Sequence, residues 1–320
     1  MSRKNLSIES IIKLDTDHAV VTFSDGSTRT RRVYDNTIFI SGKSYNVNAA
    51  DERVVEAKQL TPPEAKKIEV DEDKTVQHEK YDLIKTCVNS DIPVFLVGPA
   101  GSGKNFTLEM IAKDLGMDFY FTNSIQQEYK VTGFIDAGGT FHDTEFYKAF
   151  VNGGLFFLDE IDASIPEVLV LLNAAIANKY FEFPTGRVTA HKDFRVVAAG
   201  NTVGNGASEQ YTGRLVLDQA TLDRFAIIEF GYSKRIELKL AKGDTELVDF
   251  IRSLRDIAQS TGIRTTFSYR CIMMTVELQS KGVEFKDILA IVIFKGLDAD
   301  TVRTFHSAMQ HSNSYAQQVR

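Results

Sequence analysis

Pro93-Val94-Phe95-Leu96-Val97-Gly98-Pro99-Ala100-Gly101-Ser102-Gly103-Lys104-Asn105 decides how this chain is read. The apolar run Val94 to Val97 is short and rich in β-branched and aromatic residues, as a central parallel strand requires. Beyond Lys104 the spacing becomes helical. Leu108, Ile111, Ala112 and Leu115 fall at i, i+3, i+4 and i+7, and Gly116 supplies a stop. Between strand and helix, Gly98 to Lys104 fits G-x-x-x-x-G-K. Three fixed positions recur by chance about 0.1 times in a chain of this length, so the flanking strand and helix carry the assignment. Glycines let successive N–H groups face one point. That nest, with the positive end of the following helix, holds phosphate oxygens, and Lys104 reaches toward the β- and γ-phosphates. One position departs from the pattern. Asn105 stands where a Ser or Thr hydroxyl usually ligates Mg²⁺; its amide oxygen is also a hard ligand, so the strength of metal binding is the open point.

Outward from this stretch, strands and helices alternate from Asp91 to Phe230. Asp118 to Thr122 reads as a strand. Leu155 to Leu158 is fully apolar and ends in Asp159-Glu160. Phe194 to Ala199 ends at Gly200-Asn201, and Ala226 to Phe230 is a fifth strand. Alternation of this kind predicts a parallel sheet covered on both faces. In such sheets ligands lie at the carboxyl ends of strands, so the Gly98 loop, Asp159-Glu160 and Asn201 are expected to converge. Ser164-Ile165-Pro166-Glu167 reads as a helix start with Ser164 at the cap. Val168, Leu171, Leu172, Ala175 and Ile176 form the buried stripe that follows. Two projecting hairpins are expected, one over Tyr180 to Ala190 and one over Phe134 to Phe146.

Residues 1 to 50 are β-rich. His18 to Ser24 and Ser27 to Val33 flank an Asp25-Gly26 hairpin turn, and a second hairpin is expected over Thr37 to Val47. Arg29, Arg31 and Arg32 on the return strand read either as a patch for an acidic partner or nucleic acid, or as a solvated strand face. Residues 51 to 75, charged and carrying Pro62-Pro63, read as a linker. Residues 76 to 232 would form the α/β nucleotide-binding domain. Residues 233 to 320 would form an all-helical domain, with Leu247, Phe250, Ile251, Leu254, Ile257 and Ala258 at helical spacing and Ser268 capping a later helix.

Composition narrows the function class. A net charge of −6 supplies no global basic field for nucleic acid. The longest apolar run, Ile288 to Phe294, is too short to span a membrane. With no charged-then-apolar leader and only Cys87 and Cys271 as cysteines, a cytoplasmic protein is expected. The histidines make no metal pattern.

The residues at the strand ends suit phosphoryl chemistry. Asp159 can orient Mg²⁺ and its waters, and Glu160 can polarise an attacking water. Asn201 can hydrogen-bond a γ-phosphate or simply form a turn. Arg224, in Leu222-Asp223-Arg224-Phe225, reads as a catalytic cation or a structural ion-pair residue. Arg270 at a helix start opposes the dipole, which points to a nearby anion.

Gly98–Lys104, Leu155-Phe156-Phe157-Leu158-Asp159-Glu160-Ile161-Asp162, Ala199-Gly200-Asn201-Thr202, Thr221-Leu222-Asp223-Arg224-Phe225 and Ser268-Tyr269-Arg270 occur in the order of an AAA+ ATPase. Over residues 76 to 310 the chain resembles the MoxR and cobaltochelatase small-subunit branch, with dynein-like relatives and versions carried by bacteriophages. The resemblance implies an α/β P-loop fold with a helical lid and ATP and Mg²⁺ as cofactors. It implies a nucleotide loop spanning Gly98, Pro99, Ala100, Gly101, Ser102, Gly103, Lys104, Asn105 and Phe106, with Asn105 and Asp159 toward the metal. Glu160 would be the catalytic base of Walker B, Asn201 sensor-1, Arg224 an arginine finger acting on a neighbouring subunit, and Arg270 the sensor-2 arginine. The hairpins would correspond to the helix-2 and pre-sensor-1 inserts. A homo-oligomeric ring, a hexamer in the family, is implied, and a von Willebrand A-type protein is a common partner of the branch. Three functions follow as expectations: an ATP-hydrolysing remodeller of a protein client, a nucleotide-gated switch with weak hydrolysis, and a DNA-directed motor.

Overall fold

The computed structural model describes residues 4–13, 18–23, 28–32, 44–47, 54–56, 76–208, 210–309 and 313–319. The chain divides into two compact units, Met1–Lys66 and Lys67–Arg320.

The first unit is a five-stranded antiparallel sheet. Its strands are β1 (Lys4–Lys13), β2 (His18–Phe23), β3 (Thr28–Arg32), β4 (Ser44–Val47) and β5 (Val54–Glu56), in the order β3-β2-β1-β4-β5. β2 and β3 pair as expected, His18 opposite Arg32 and Thr22 opposite Thr28. The Asp25-Gly26 turn and Thr37 to Ile40 lie outside the described residues. Two expectations change. β4 pairs with β1 and β5, and β5 lies inside the stretch read as a linker. A charged, proline-bearing segment conceals a three-residue strand because so short a run shows no period.

The second unit is built on a parallel sheet. Its elements are α1 (Tyr81–Asn89), β6 (Val94–Val97), α2 (Lys104–Asp114), β7 (Phe119–Thr122), α3 (Tyr129–Thr132), β8 (Phe134–Ile135), β9 (Phe141–His142), α4 (Glu145–Asn152), β10 (Gly154–Leu158), α5 (Pro166–Asn178), β11 (Tyr180–Phe183), β12 (Gly186–Thr189), β13 (Phe194–Gly200), α6 (Gln219–Leu222) and β14 (Ala226–Glu229). The strand order β14-β6-β13-β10-β7 places β6 and β13 side by side near the middle, with β10 next to β13. The carboxyl ends of these strands therefore line one edge.

Alternation along each strand feeds two cores. Phe95, Phe156, Leu158, Val196 and Ala198 face a cluster with α4, α5 and the β11–β12 hairpin, in which Phe146, Phe150, Phe181, Phe183 and Phe194 are buried. Val94, Leu96, Leu155, Phe157, Val197 and Ala199 face α1 and α2, where Ile84, Leu108 and Ile111 are fully buried. This two-sided burial is why the strands read as near-continuous apolar runs. Gly116 follows the α2 C-cap at φ +65°, the left-handed turn that glycine permits.

Two local expectations are corrected. Ser164 does not cap α5. Ile165 occupies the N-cap without a side-chain bond, and the buried Ser164 hydroxyl accepts the Ile125 N–H at 2.9 Å. A tertiary donor has taken the oxygen that a capping box would use. The expected hairpin over Phe134 to Phe146 closes at His142, because Thr144 caps α4 by accepting the Tyr147 N–H at 3.0 Å.

Beyond β14 the second unit is helical: α7 (Lys234–Leu240), α8 (Thr245–Thr261), α9 (Tyr269–Ser280), α10 (Phe285–Ile288) and α11 (Ala299–Ala308). A third cluster, with Leu247, Phe250, Ile251, Leu254, Ile272, Ile288 and Phe305 at its centre, joins them. Among the described residues no helix is long and apolar enough to cross a membrane.

Candidate active site

The loop after β6 packs too tightly for side chains. The Gly98 N–H donates to the Gly200 carbonyl at 3.1 Å. A Cβ added at Gly98 would sit 1.9 Å from the Phe230 carbonyl oxygen, so only glycine passes between β13 and β14. Gly101 and Gly103 hold φ +69° and +90°, conformations that turn consecutive N–H groups inward. Gly103 is also the N-cap of α2, which aims the helix dipole at the loop. The Ser102 hydroxyl is buried and has no partner among the described residues.

Lys104 is buried and donates to the carbonyls of Gly98 at 2.8 Å and Pro99 at 3.1 Å. Burial pushes its ammonium below the usual lysine range, which nearby Asp159, Asp162 and Glu160 partly offset and Arg214 reinforces. Burial likewise raises the Asp159 carboxyl, against hydrogen bonds from Asn105 and from the Glu160 N–H. A bound polyphosphate would favour the charged form of Lys104.

The three strand ends converge as the sequence predicts. Asp159 and Glu160 follow β10, and Asn201 follows β13. Together with Gly101 to Phe106, they line one cavity of about 570 Å³. Its lining is of two kinds. His78, Tyr81, Met110, Ile236, Leu240 and Met273 bring apolar and aromatic side chains to it, and the loop, the carboxylates and Arg270 bring polar and charged groups. His78 stacks on Phe230 at 3.9 Å between ring centroids, and burial lowers its pKa. Apolar side chains that suit a base and polar groups that suit phosphates are both present in this lining. The orphaned Ser102 hydroxyl and the inward loop amides fit phosphate oxygens, and Asn105 beside Asp159 offers oxygen donors that suit Mg²⁺. A second cavity of about 590 Å³, lined by Arg252, Arg255 and Arg264 among others, meets the loop only at Pro99.

Glu160 adopts the left-handed region, φ 52° and ψ 42°, uncommon for a side chain of this kind. Arg270 is exposed at the first turn of α9, and one of its terminal nitrogens would lie 3.4 Å from a Cβ added at Gly101. Arg224 is not brought to this cavity. Its Nη1 donates to the Ala220 carbonyl on α6, and its buried Nε has no partner among the described residues.

Residues that sequence reasoning passed over complete the site. Arg214 donates from Nη2 to Glu160 Oε1 at 3.1 Å, and its Nε lies 3.4 Å from Asp162 Oδ2. The fully buried Asp162 accepts the N–H groups of Asn201 and Thr202 at 3.1 and 2.9 Å and the Thr202 hydroxyl at 2.9 Å. In the amide orientation that satisfies both its neighbours, Asn201 accepts from Arg214 Nη2 at 2.7 Å and donates to the Gly98 carbonyl at 3.2 Å. The Tyr211 hydroxyl accepts the Ala100 N–H at 3.3 Å, and Tyr232 donates to the Ala100 carbonyl at 2.8 Å. Burial pushes the Tyr232 phenol up to about 12, which keeps it a donor. Only the placement of Tyr211 and Arg214 in the loop after Asn201 could have drawn attention to them; no period or motif does.

One family model matches the part of the chain that carries this site. Residues 93–225 match the family model described as the AAA domain of the dynein-related subfamily. The matched span contains Lys104, Asp159, Glu160, Asn201 and Arg224 and leaves Arg270 outside. The parallel sheet, its glycine loop and this match make the fold a P-loop AAA fold. An uncharacterized protein of Staphylococcus saprophyticus is 28% identical over 210 residues, 61% of this chain and 76% of that one. Another, of Staphylococcus epidermidis, is 30% identical over 156 residues, 43% of this chain and 55% of that one. Of solved structures, NtrX from Brucella abortus in complex with ADP aligns at 15% identity and TM-score 0.43, over 72% of this chain and 53% of that chain.

Proposed function

We propose that this chain hydrolyses ATP as a subunit of a homo-oligomeric ring, a hexamer as in its wider family, and that the ring remodels a protein partner. The observation that carries the reading is the convergence of Lys104, Asp159, Glu160 and Asn201 on one cavity whose lining also includes Met110, Ile236, Leu240 and Met273. The order of motifs supports placement in the MoxR and cobaltochelatase small-subunit branch, for which a von Willebrand A-type client is the favoured partner class.

In this mechanism the loop amides, Lys104 and Arg270 bind and orient the triphosphate. Glu160 accepts a proton from a water whose oxygen bonds to the γ-phosphorus, while the bond to the bridging oxygen of ADP breaks. Asn201 holds the water or the γ-phosphate. Asn105 and Asp159 would hold Mg²⁺, which neutralises phosphate charge when bound. Arg224 is supplied to the next subunit's nucleotide.

The test is turnover against protein concentration. Activity per chain is expected to rise as subunits assemble. Glu160→Gln is expected to lose about 10²-fold in kcat while still binding a fluorescent ATP analogue. Undiminished activity in that variant overturns the reading.

One observation favours a second reading, a nucleotide-gated switch: Asn105 replaces the usual hydroxyl and is drawn to Asp159. Mg²⁺ titration of turnover separates the two. Asn105→Thr is expected to lower the Mg²⁺ concentration at half-maximal rate by about tenfold, the scale on which groups around a metal tune affinity. Brisk wild-type turnover at saturating Mg²⁺ ends the switch reading.

A further inference from the structure

Arg214 donates directly to Glu160, and it sits on neither the glycine loop nor the helical lid. We propose that Arg214 is a positioning residue that locks Glu160 and Asn201 together, so that the lytic base and the γ-phosphate contact act as one unit. The proposal rests on the ATPase reading above.

Three elements are joined by one guanidinium. It reaches Glu160 beyond β10 at 3.1 Å, Asp162 in the short helical turn that follows at 3.4 Å, and Asn201 beyond β13 at 2.7 Å. Its side chain is 11% exposed against 38% for Glu160. A guanidinium presents five N–H donors in a rigid fork, so one group can meet three acceptors at fixed angles; an ammonium cannot.

The neighbouring bonds fix the fork itself. The Leu215 N–H donates to the Asp162 carbonyl at 2.8 Å, pinning the backbone next to Arg214. Asp162 Oδ2 is already held by the Asn201 and Thr202 N–H groups and the Thr202 hydroxyl. The carboxylate of Asp162 is therefore anchored before Arg214 arrives. Glu160 is different. Its backbone is left-handed, at φ 52°, and among the described residues its side chain bonds to Arg214 alone. Without Arg214 no hydrogen bond among the described residues fixes the rotamer of that carboxylate, and Asp159 close by repels it. A base displaced by about 1 Å from an attacking water loses on the order of 10²-fold in rate.

A double-mutant cycle on the full chain tests this, with steady-state ATPase, binding of a fluorescent ATP analogue and thermal melting measured together. Arg214→Ala is expected to lower kcat by roughly 10²-fold, with KM and analogue affinity within about threefold of wild type. Arg214→Lys keeps the charge without the fork; it is expected to keep the wild-type melting temperature and recover no more than about tenfold of the loss. In the Glu160→Gln background, Arg214→Ala is expected to cost less than about twofold further, because Glu160 and Asn201 act as one unit and that unit has already lost its base. Multiplicative losses in that background overturn the proposal, as does a fall in analogue affinity matching the fall in turnover. Restoration of full activity by Lys also overturns it. If wild type itself shows no hydrolysis at any concentration while the analogue binds, the ATPase reading fails, and the positioning role falls with it.

Discussion

Arg224→Ala is expected to reduce ATP turnover by about 10³- to 10⁵-fold, the scale of an arginine finger supplied by a neighbour, while leaving nucleotide binding intact. The geometry within one chain explains the separation. Arg224 lies outside the cavity formed by Lys104, Asp159, Glu160 and Asn201, and its guanidinium is held on the α6 carbonyl of Ala220. Its Nε is buried in its own chain and has no partner among the described residues, while the residue as a whole is half-buried. On the proposed ring reading, its terminal nitrogens are the atoms that meet the next subunit's γ-phosphate. A mixing experiment isolates this role. Glu160→Gln retains the finger and lacks the base; Arg224→Ala retains the base and lacks the finger. Each alone should be nearly silent. Mixed in equal amounts, roughly a quarter of head-to-tail interfaces pair an intact base with an intact finger, and activity should return. Failure to complement, with both variants assembling, would mean that Arg224 acts within its own subunit.

Glu237→Ala is the second large effect, and it concerns stability. Glu237 on α7 is fully buried, with Arg252 at 2.6 Å on one oxygen and Arg255 on the other. Removing the anion leaves two arginines facing each other, one only 16% exposed. Loss of one partner from such a buried set costs about 3–5 kcal/mol, which lowers the melting temperature by roughly 10 °C or more in a unit of this size. The damage should reach the site. The Arg255 guanidinium lies 3.8 Å from the centre of the Tyr232 ring, and Tyr232 donates to the Ala100 carbonyl in the glycine loop. Calorimetry should therefore show a lower transition, and analogue binding should weaken in parallel. Replacing Glu237, Arg252 and Arg255 together by apolar residues of similar volume is expected to recover most of the stability, since it leaves no uncompensated charge. A single variant as stable as wild type would show that the cluster is solvated more than its burial implies.

Much of the site was legible from residues alone. The parallel strands announced themselves as apolar runs, because strands covered on both faces have no polar side to display. The glycine loop was legible because glycine adopts φ values like those at Gly101 and Gly103 without steric cost, and only glycine fits under the Phe230 carbonyl at Gly98. Asp159, Glu160 and Asn201 were legible as polar residues immediately after such strands. Ser164 misled for a physical reason. Its oxygen could satisfy a helix N–H or a distant one, and the Ile125 N–H won, a competition that local spacing does not record. The strand Val54–Glu56 was hidden because three residues carry no readable period.

The sequence by itself therefore determined the sheet, the phosphate-facing loop and the polar residues at the strand ends. Each rests on backbone conformation or burial periodicity, which nearby residues encode. Only the tertiary structure decided which charges meet. Arg214 reaches Glu160 across 54 positions, Tyr211 reaches Ala100 across 111, and Arg255 reaches Glu237 across 18. An ion pair depends on where folding carries two side chains and on how little water remains between them, and neither quantity leaves a trace in sequence spacing.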